Sequence, residues 1–226
     1  MALLPVMARQ AHEDRPGLRR NYGLAVKLLF MTAMPVAVVT TFIAKPLIRV
    51  LGGAEYLPAG GVALQIMIWS ILIGWINSVT NYVIVALDRQ RTLTIAFVIG
   101  VAFNITANLI LLPLYSYRAA AVITIFSELT LMIAFGWIIR QEIGSMNWPR
   151  ALWRPALAGI VLLGCLGAFW QVSPALGLVL SPVMYGVVAL GLRPFEPEEL
   201  ARIAPLLPGR LRRWALNAAP RAPMSP

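Results

Sequence analysis

Residues 93–139 read LTIAFVIGVAFNITANLILLPLYSYRAAAVITIFSELTLMIAFGWII, two apolar runs joined by a short link from Pro113 to Arg118. Each run has about 20 residues and forms a helix of roughly 30 Å, the thickness of the hydrocarbon core of a bilayer. The link is long enough only for the chain to turn straight back. The two runs therefore predict a pair of antiparallel membrane-spanning helices packed side by side.

Two polar residues lie near the middle of these runs. Asn104 precedes Pro113 by nine residues and Glu128 follows Arg118 by ten, so both are expected near the bilayer midplane. An ionised carboxylate there costs about 2.5 kcal/mol or more, and such groups usually face a bundle interior, a partner or a water-filled cavity. Glu128 is therefore the leading candidate for a functional residue.

The composition indicates an integral membrane protein. Of 226 residues, 59% are hydrophobic and only 12% are charged, whereas about a quarter of the residues of a soluble domain are charged. With one cysteine and one histidine, the chain offers neither a disulfide framework nor a metal-ligand set. It also lacks the acid/base pair or phosphate-cradling glycine loop of an enzyme. We therefore expect no catalytic activity and no cofactor.

The sequence predicts an all-α, polytopic membrane protein with about six spans. Before them, residues 1–23 are expected to be a cytoplasmic segment that holds the end of a preceding helix and a basic linker. After them, residues 193–226 are expected to form a basic cytoplasmic tail, in which GRLRRWAL at 209–216 suits an anionic membrane surface. The predicted spans are at about 24–44, 62–87, 93–112, 119–139, 156–170 and 176–192.

The placement of the basic residues predicts the orientation. The net charge is +10, which in a soluble protein would suggest a nucleic-acid partner, but here the distribution is more informative. With six spans, all Lys and Arg residues except Lys45, Arg49 and Arg118 fall on the side of the two termini. By the positive-inside rule both termini are cytoplasmic, in a multi-pass protein of the cytoplasmic (inner) membrane, and no nucleic-acid partner is needed to explain the charge.

Two asparagine pairs accompany Glu128, namely Asn77 with Asn81 and Asn104 with Asn108. Each pair has i, i+4 spacing and so faces one way along its helix. We predict that Asn104 and Asn108 face the small and polar residues around Ser127, with Asn104 hydrogen-bonded to Glu128. The amides suit either hydrogen bonds between helices or a transport pathway, and Glu128 suits either a structural, protonated carboxyl or a group that couples transport to an ion.

Three longer segments resemble oligosaccharide flippases of polysaccharide biosynthesis. The region 5–60, from PVMARQAHEDRPGLRRNYG to LGGAEYLPAG, has the basic linker, the helix with a central proline and the Gly-Gly/aromatic turn common in these proteins. INSVTNYVIVALDRQR at 76–91 and NITANLILLPLYSYRAAAVITIFSEL at 104–129 resemble their next helices. One departure is Arg118, which stands where the family commonly has glycine.

The resemblance implies a fold of two six-helix lobes around a central cavity, often with two additional helices, as in multidrug and toxin extrusion transporters and lipid II flippases. Met1 would then fall near the end of the eighth helix, and the predicted spans would be the ninth to the fourteenth. The chain would lack the first lobe and part of the second, so it would need that missing part or a partner chain. No binding residue is assigned from the resemblance.

The function expected from this resemblance is movement of lipid-linked oligosaccharides from the cytoplasmic to the outer leaflet, for polysaccharide or O-antigen assembly. The mechanism would be alternating access, with the lipid tail remaining in the bilayer. Two alternatives stay open, a multidrug or cation exporter of the same fold and a non-transporting, truncated membrane scaffold. Membrane lipid contacts the protein in each case.

Overall fold

A computed structural model describes residues 3–192, 195 and 198–200. All regular elements of this described part are helical, in agreement with the predicted fold class. A short 3-10 helix at Ala54–Tyr56 separates α2 from α3. The α-helices are α1 (Leu3–Glu13), α2 (Arg15–Leu51), α3 (Ala59–Met67), α4 (Ser70–Ala86), α5 (Gln90–Tyr115), α6 (Tyr117–Ile143), α7 (Trp148–Val172) and α8 (Pro174–Gly191).

The described residues contain five helices that are long and apolar enough to cross a membrane, namely α2, α5, α6, α7 and α8. The pair α3 and α4 forms a sixth candidate if the two helices are counted as one span. The chain is therefore an all-α polytopic membrane protein with five to six candidate spans. The six predicted ranges lie within or across these helices, and the second of them differs most from the structure.

The predicted span 62–87 is broken in the structure. α3 and α4 meet at an angle of 46° across a gap of two residues, Ile68 and Trp69. At the break the Trp69 amide donates to the Ile66 carbonyl and the Ile71 amide to the Ile68 carbonyl, so i→i−3 bonds interrupt the α-helical pattern. No proline or glycine occupies the break, so nothing local in the sequence marks this change of direction within the predicted span.

The basic N-terminal segment is also more regular than predicted. Arg15, Arg19 and Arg20 do not form a linker but belong to the first turns of α2. Asp14 caps this helix by accepting a 2.9 Å hydrogen bond from the Gly17 amide, and Pro16 occupies a position in the first turn. Both features start helices, so α2 begins well before its apolar part.

The turn between α5 and α6 is tighter than the predicted link. A single residue, Ser116, lies between the two helices, and Pro113 and Tyr115 still belong to α5. The chain reverses there because Ser116 adopts φ 53° and ψ −145°. Residues other than glycine rarely adopt this conformation, which costs about 1–3 kcal/mol.

Ser116→Gly is therefore expected to stabilise the protein by about 1 kcal/mol, since glycine reaches this conformation without strain. The measurement is thermal unfolding of purified protein in detergent, followed by circular dichroism. Ser173→Gly is the matched control, because Ser173 also separates two helices but has φ −158° and accepts a hydrogen bond from the Leu176 amide. A gain of equal size in the control would contradict the assignment of strain to Ser116.

Packing places α2 in the centre of the described helices, in contact with α1, α3, α4, α6, α7 and α8. α4 contacts both α2 and α6, the α5–α6 hairpin lies on one side, and α7 and α8 pack against the other side of α2. Tyr22 of α2 fixes α4 through a buried 2.7 Å hydrogen bond between its hydroxyl and that of Thr80. α5 contacts mainly α6 and leaves most of its apolar surface exposed, including Val98 and Leu109.

One end of the bundle gathers the segments that the sequence places on the basic side. Glu142, at the end of α6, binds Arg15 at 3.2 Å and Arg89 at 2.7 Å. In addition, Lys27 binds Glu199, which follows α8 in the chain, at 2.7 Å. These contacts bring the starts of α2 and α5, the end of α6 and the region after α8 together. The rest of the predicted tail, including 209–216, lies outside the described residues.

Candidate functional site

Glu128 lies near the middle of α6, where Asn77 of α4 holds it. The Asn77 side-chain amide donates one hydrogen bond to Glu128 Oε2 at 2.7 Å and another to the Glu128 main-chain carbonyl at 2.9 Å. Asn77 itself is 5% exposed, whereas Glu128 is half-buried. The amide therefore fixes both the position and the orientation of the carboxylate.

Gly74 brings the α4 backbone close to this carboxylate. A Cβ atom at position 74 would lie 3.5 Å from the Glu128 carboxyl carbon. Gly74 precedes Asn77 by three residues, so both face α6. A side chain longer than that of alanine at position 74 would compete with the carboxylate for this space.

The described residues provide no positive charge for Glu128. Among them, no Lys, Arg or His side chain lies within 4.0 Å of the carboxylate. The Asn77 amide oxygen is also buried without a hydrogen-bond partner there, because the nitrogen of the same amide is directed at Glu128. In hydrocarbon, an uncompensated carboxylate and an unused acceptor are both costly. The site therefore offers acceptor oxygens to a cation or a polar ligand.

The predicted hydrogen bond between Asn104 and Glu128 was wrong. Asn104 of α5 instead donates to the Ser127 hydroxyl at 2.7 Å. Successive residues of an α-helix point about 100° apart, so Ser127 faces α5 while Glu128 faces α4. The sequence placed both residues in one polar stripe, and only the packing of the helices separates their partners.

The other two candidates lie outside the contact between Asn77 and Glu128. Asn108 donates to the main-chain carbonyl of Asn104 at 2.9 Å and thus bonds within its own helix. Asn81 is half-buried, one turn along α4 from Asn77, and makes no side-chain hydrogen bond with the residues that the structure describes. Of the four asparagines predicted from the sequence, only Asn77 therefore contacts Glu128 through a hydrogen bond in the described residues. Gly74 was missed, although its spacing from Asn77 indicates a shared face.

The bend between α3 and α4 lies close to this site along the chain. Asn77 follows the break at Ile68 and Trp69 by about two helical turns. Discontinuous helices with nearby polar groups are typical of substrate and ion sites in transporters. Among the described residues, no group of three or more His, Cys, Asp or Glu side chains could hold a metal ion.

Comparison with known proteins supports the resemblance at a coarser level. Residues 1–110 match the family model MatE. The chain is also 23% identical over 129 residues to a protein of Methanocaldococcus jannaschii described as an uncharacterized membrane protein. That match covers 55% of this chain, and the chain spans about a quarter of the length of this curated relative. No solved structure matches the chain.

The chain is therefore similar to the MatE family over just under half of its length, and the archaeal relative is likewise a membrane protein. The family match includes α1 to α4 and most of α5, so it contains Asn77, Asn81, Asn104 and Asn108. It ends before α6, which carries Glu128. Glu128 is thus a candidate on the basis of its own surroundings.

Proposed function

We propose that this chain is the C-terminal portion of a flippase that moves lipid-linked oligosaccharides from the cytoplasmic to the outer leaflet. The observation that carries the proposal is Glu128, midway along an apolar helix, held by the buried Asn77 beside a broken span and without a cation among the described residues. The match of residues 1–110 to MatE supports a membrane transporter of the flippase or exporter class, whose members are transporters rather than enzymes.

The proposed coupling role of Glu128 is based on the free-energy cost of a charged carboxylate inside a membrane. A carboxylate near the middle of a membrane is stable only when a proton, a cation or water compensates it. In one state of an alternating-access cycle the site would take up a proton or cation, and in the other it would release it. The Asn77 amide would hold the carboxylate in place during both steps.

A lipid-linked oligosaccharide is the proposed substrate because the segments at 5–60, 76–91 and 104–129 are similar to those of polysaccharide flippases. The five to six candidate spans of the described residues do not provide two six-helix lobes. Transport would therefore require the missing lobe, supplied by the same longer protein or by a partner chain. The proposed location is the cytoplasmic membrane, and both termini are proposed to be cytoplasmic because the basic segments gather at one end of the bundle.

The first measurement is the mass of the native product in host membranes, detected with an antibody against the segment after Arg193. We expect a band at about twice the mass of this chain. A protein of that size would contain the missing lobe. A band at the mass of the chain alone would require a partner chain, to be sought by co-purification. If neither a longer product nor a partner were found, the flippase proposal would be wrong and a non-transporting scaffold would be favoured.

The second measurement identifies the substrate, using the complete native assembly in proteoliposomes. A fluorescent lipid-linked oligosaccharide is expected to move between leaflets faster than in protein-free vesicles, while uptake of a small organic cation such as ethidium stays at the background rate. The reverse result would indicate a multidrug or cation exporter. Movement of neither probe would contradict a transport function.

A further inference from the structure

A second polar site lies at the end of the bundle where α2 and α7 begin and α6 ends. The site is a cavity of about 600 Å³. Among the residues that the structure describes, its lining has five basic and three acidic side chains, an excess of two positive charges. The basic side chains are those of Arg15, Arg19, Arg20, Lys27 and Arg150.

Two of these basic residues already have carboxylate partners. Glu142 neutralises Arg15 at 3.2 Å, although it also binds Arg89 at 2.7 Å. Both carboxylate oxygens of Glu199 lie 2.7 Å from Lys27 Nζ. The inner part of the cavity, near Lys27, therefore holds an anion of the chain itself.

The other three arginines have no carboxylate partner in the described part of the chain. Arg19 donates to the main-chain carbonyl of Ser145. Arg20 and Arg150 are exposed, and no described Asp or Glu side chain lies within 4.0 Å of either one. Three guanidinium groups around one cavity present many N–H donors to a ligand with several acceptor oxygens, such as phosphate.

The position of the cavity relative to the membrane favours a lipid. α2 has 37 residues, about 55 Å of helix, whereas the hydrocarbon core is about 30 Å thick. Because the apolar part of α2 begins at Leu24, Arg15, Arg19 and Arg20 extend beyond the hydrocarbon into the headgroup region. The same cavity has apolar walls at Leu24, Ile143 and Met146, which suit the glycerol and upper acyl chain of a lipid better than a free ion.

We propose that this cavity binds the phosphate head group of an anionic membrane lipid, with Arg19, Arg20 and Arg150 contacting the phosphate oxygens. The proposal is independent of the transport function, because the cavity lies at the end of α6 and Glu128 lies near its middle. The ligand class is a phosphate diester without a neutralising amine, such as phosphatidylglycerol.

The test is native mass spectrometry of the purified full chain in detergent, titrated with phosphatidylglycerol. The variant is Arg20→Gln/Arg150→Gln, which removes two exposed charges with no ion pair among the described residues. Arg91→Gln/Arg140→Gln is the matched control, since these exposed arginines lie at the same end but do not line the cavity. Each cavity arginine is expected to contribute about five-fold in affinity, so the double variant should bind about 25-fold more weakly.

The control variant is expected to bind phosphatidylglycerol nearly as well as the unmodified chain. Equal losses in both variants would show general attraction to a basic surface, and no loss in the cavity variant would show that the lipid binds elsewhere. Two further probes separate the sources of phosphate. Phosphatidylcholine and inorganic phosphate should both bind weakly. Tight binding of inorganic phosphate would show that the ligand of the cavity is a soluble anion and not a lipid.

Discussion

Glu128→Gln is expected to leave the protein folded and inserted but to lower substrate movement by about ten-fold or more, equivalent to about 1.4 kcal/mol. Glutamine has nearly the same volume and retains an oxygen that can accept the Asn77 hydrogen bond. It has no charge and so cannot take up and release a proton or cation. The measurement is the rate of lipid-linked oligosaccharide movement by the complete assembly in proteoliposomes.

Two variants separate the charge of Glu128 from its packing. Glu128→Asp keeps the charge on a shorter side chain and is expected to retain more transport than Glu128→Gln. Asn104→Ala is the control, since it removes the neighbouring 2.7 Å hydrogen bond to Ser127 without touching the carboxylate. It should cost about 0.6 kcal/mol of stability and leave transport largely intact. Normal transport by folded Glu128→Gln would rule out coupling through this carboxylate.

Gly159→Val is expected to destabilise the bundle by about 1–3 kcal/mol, the range for an overpacked interior. Gly159 of α7 is buried against α2, and a Cβ atom there would lie 2.7 Å from the Met34 Cε atom. The added side chain must displace Met34 or separate the two helices. Thermal unfolding in detergent measures the loss.

Gly164→Val provides the matched control for this prediction. Gly164 is in the same helix, but a Cβ atom there meets nothing within 4 Å among the described residues. Both substitutions change helix propensity in the same way, so their difference isolates the contact with α2. Equal unfolding temperatures for the two variants would contradict the close packing of α2 and α7 at Met34.

The long helices of this fold were predictable because their signal is local and strong. The hairpin from 93 to 139 appears in the structure as α5 and α6, since runs of that length and hydrophobicity match a bilayer. The short turn was predicted too, although its reduction to Ser116 alone was not. Proline at 113 suggested a link, but α5 continues through it to Tyr115.

The candidate site was predictable in part for the same reason. Glu128 was found from its depth alone, because a carboxylate far from both ends of an apolar run is costly wherever its neighbours lie. Its partner was not found from the sequence. Asn77 and Asn104 each begin an i, i+4 pair of asparagines on a neighbouring helix. The sequence therefore allowed either amide to face the Glu128 carboxylate.

The sequence by itself determined the all-α membrane class and the place of Glu128 near the middle of an apolar helix, since both depend on hydrophobicity counted along one helix. Only the tertiary structure decided that Asn77 binds Glu128, that Asn104 binds Ser127, and that α3 and α4 meet at a bend. The physical reason is rotational. Successive residues of an α-helix point about 100° apart, so the partner of a side chain depends on how the neighbouring helices pack. The local sequence pattern does not contain this information.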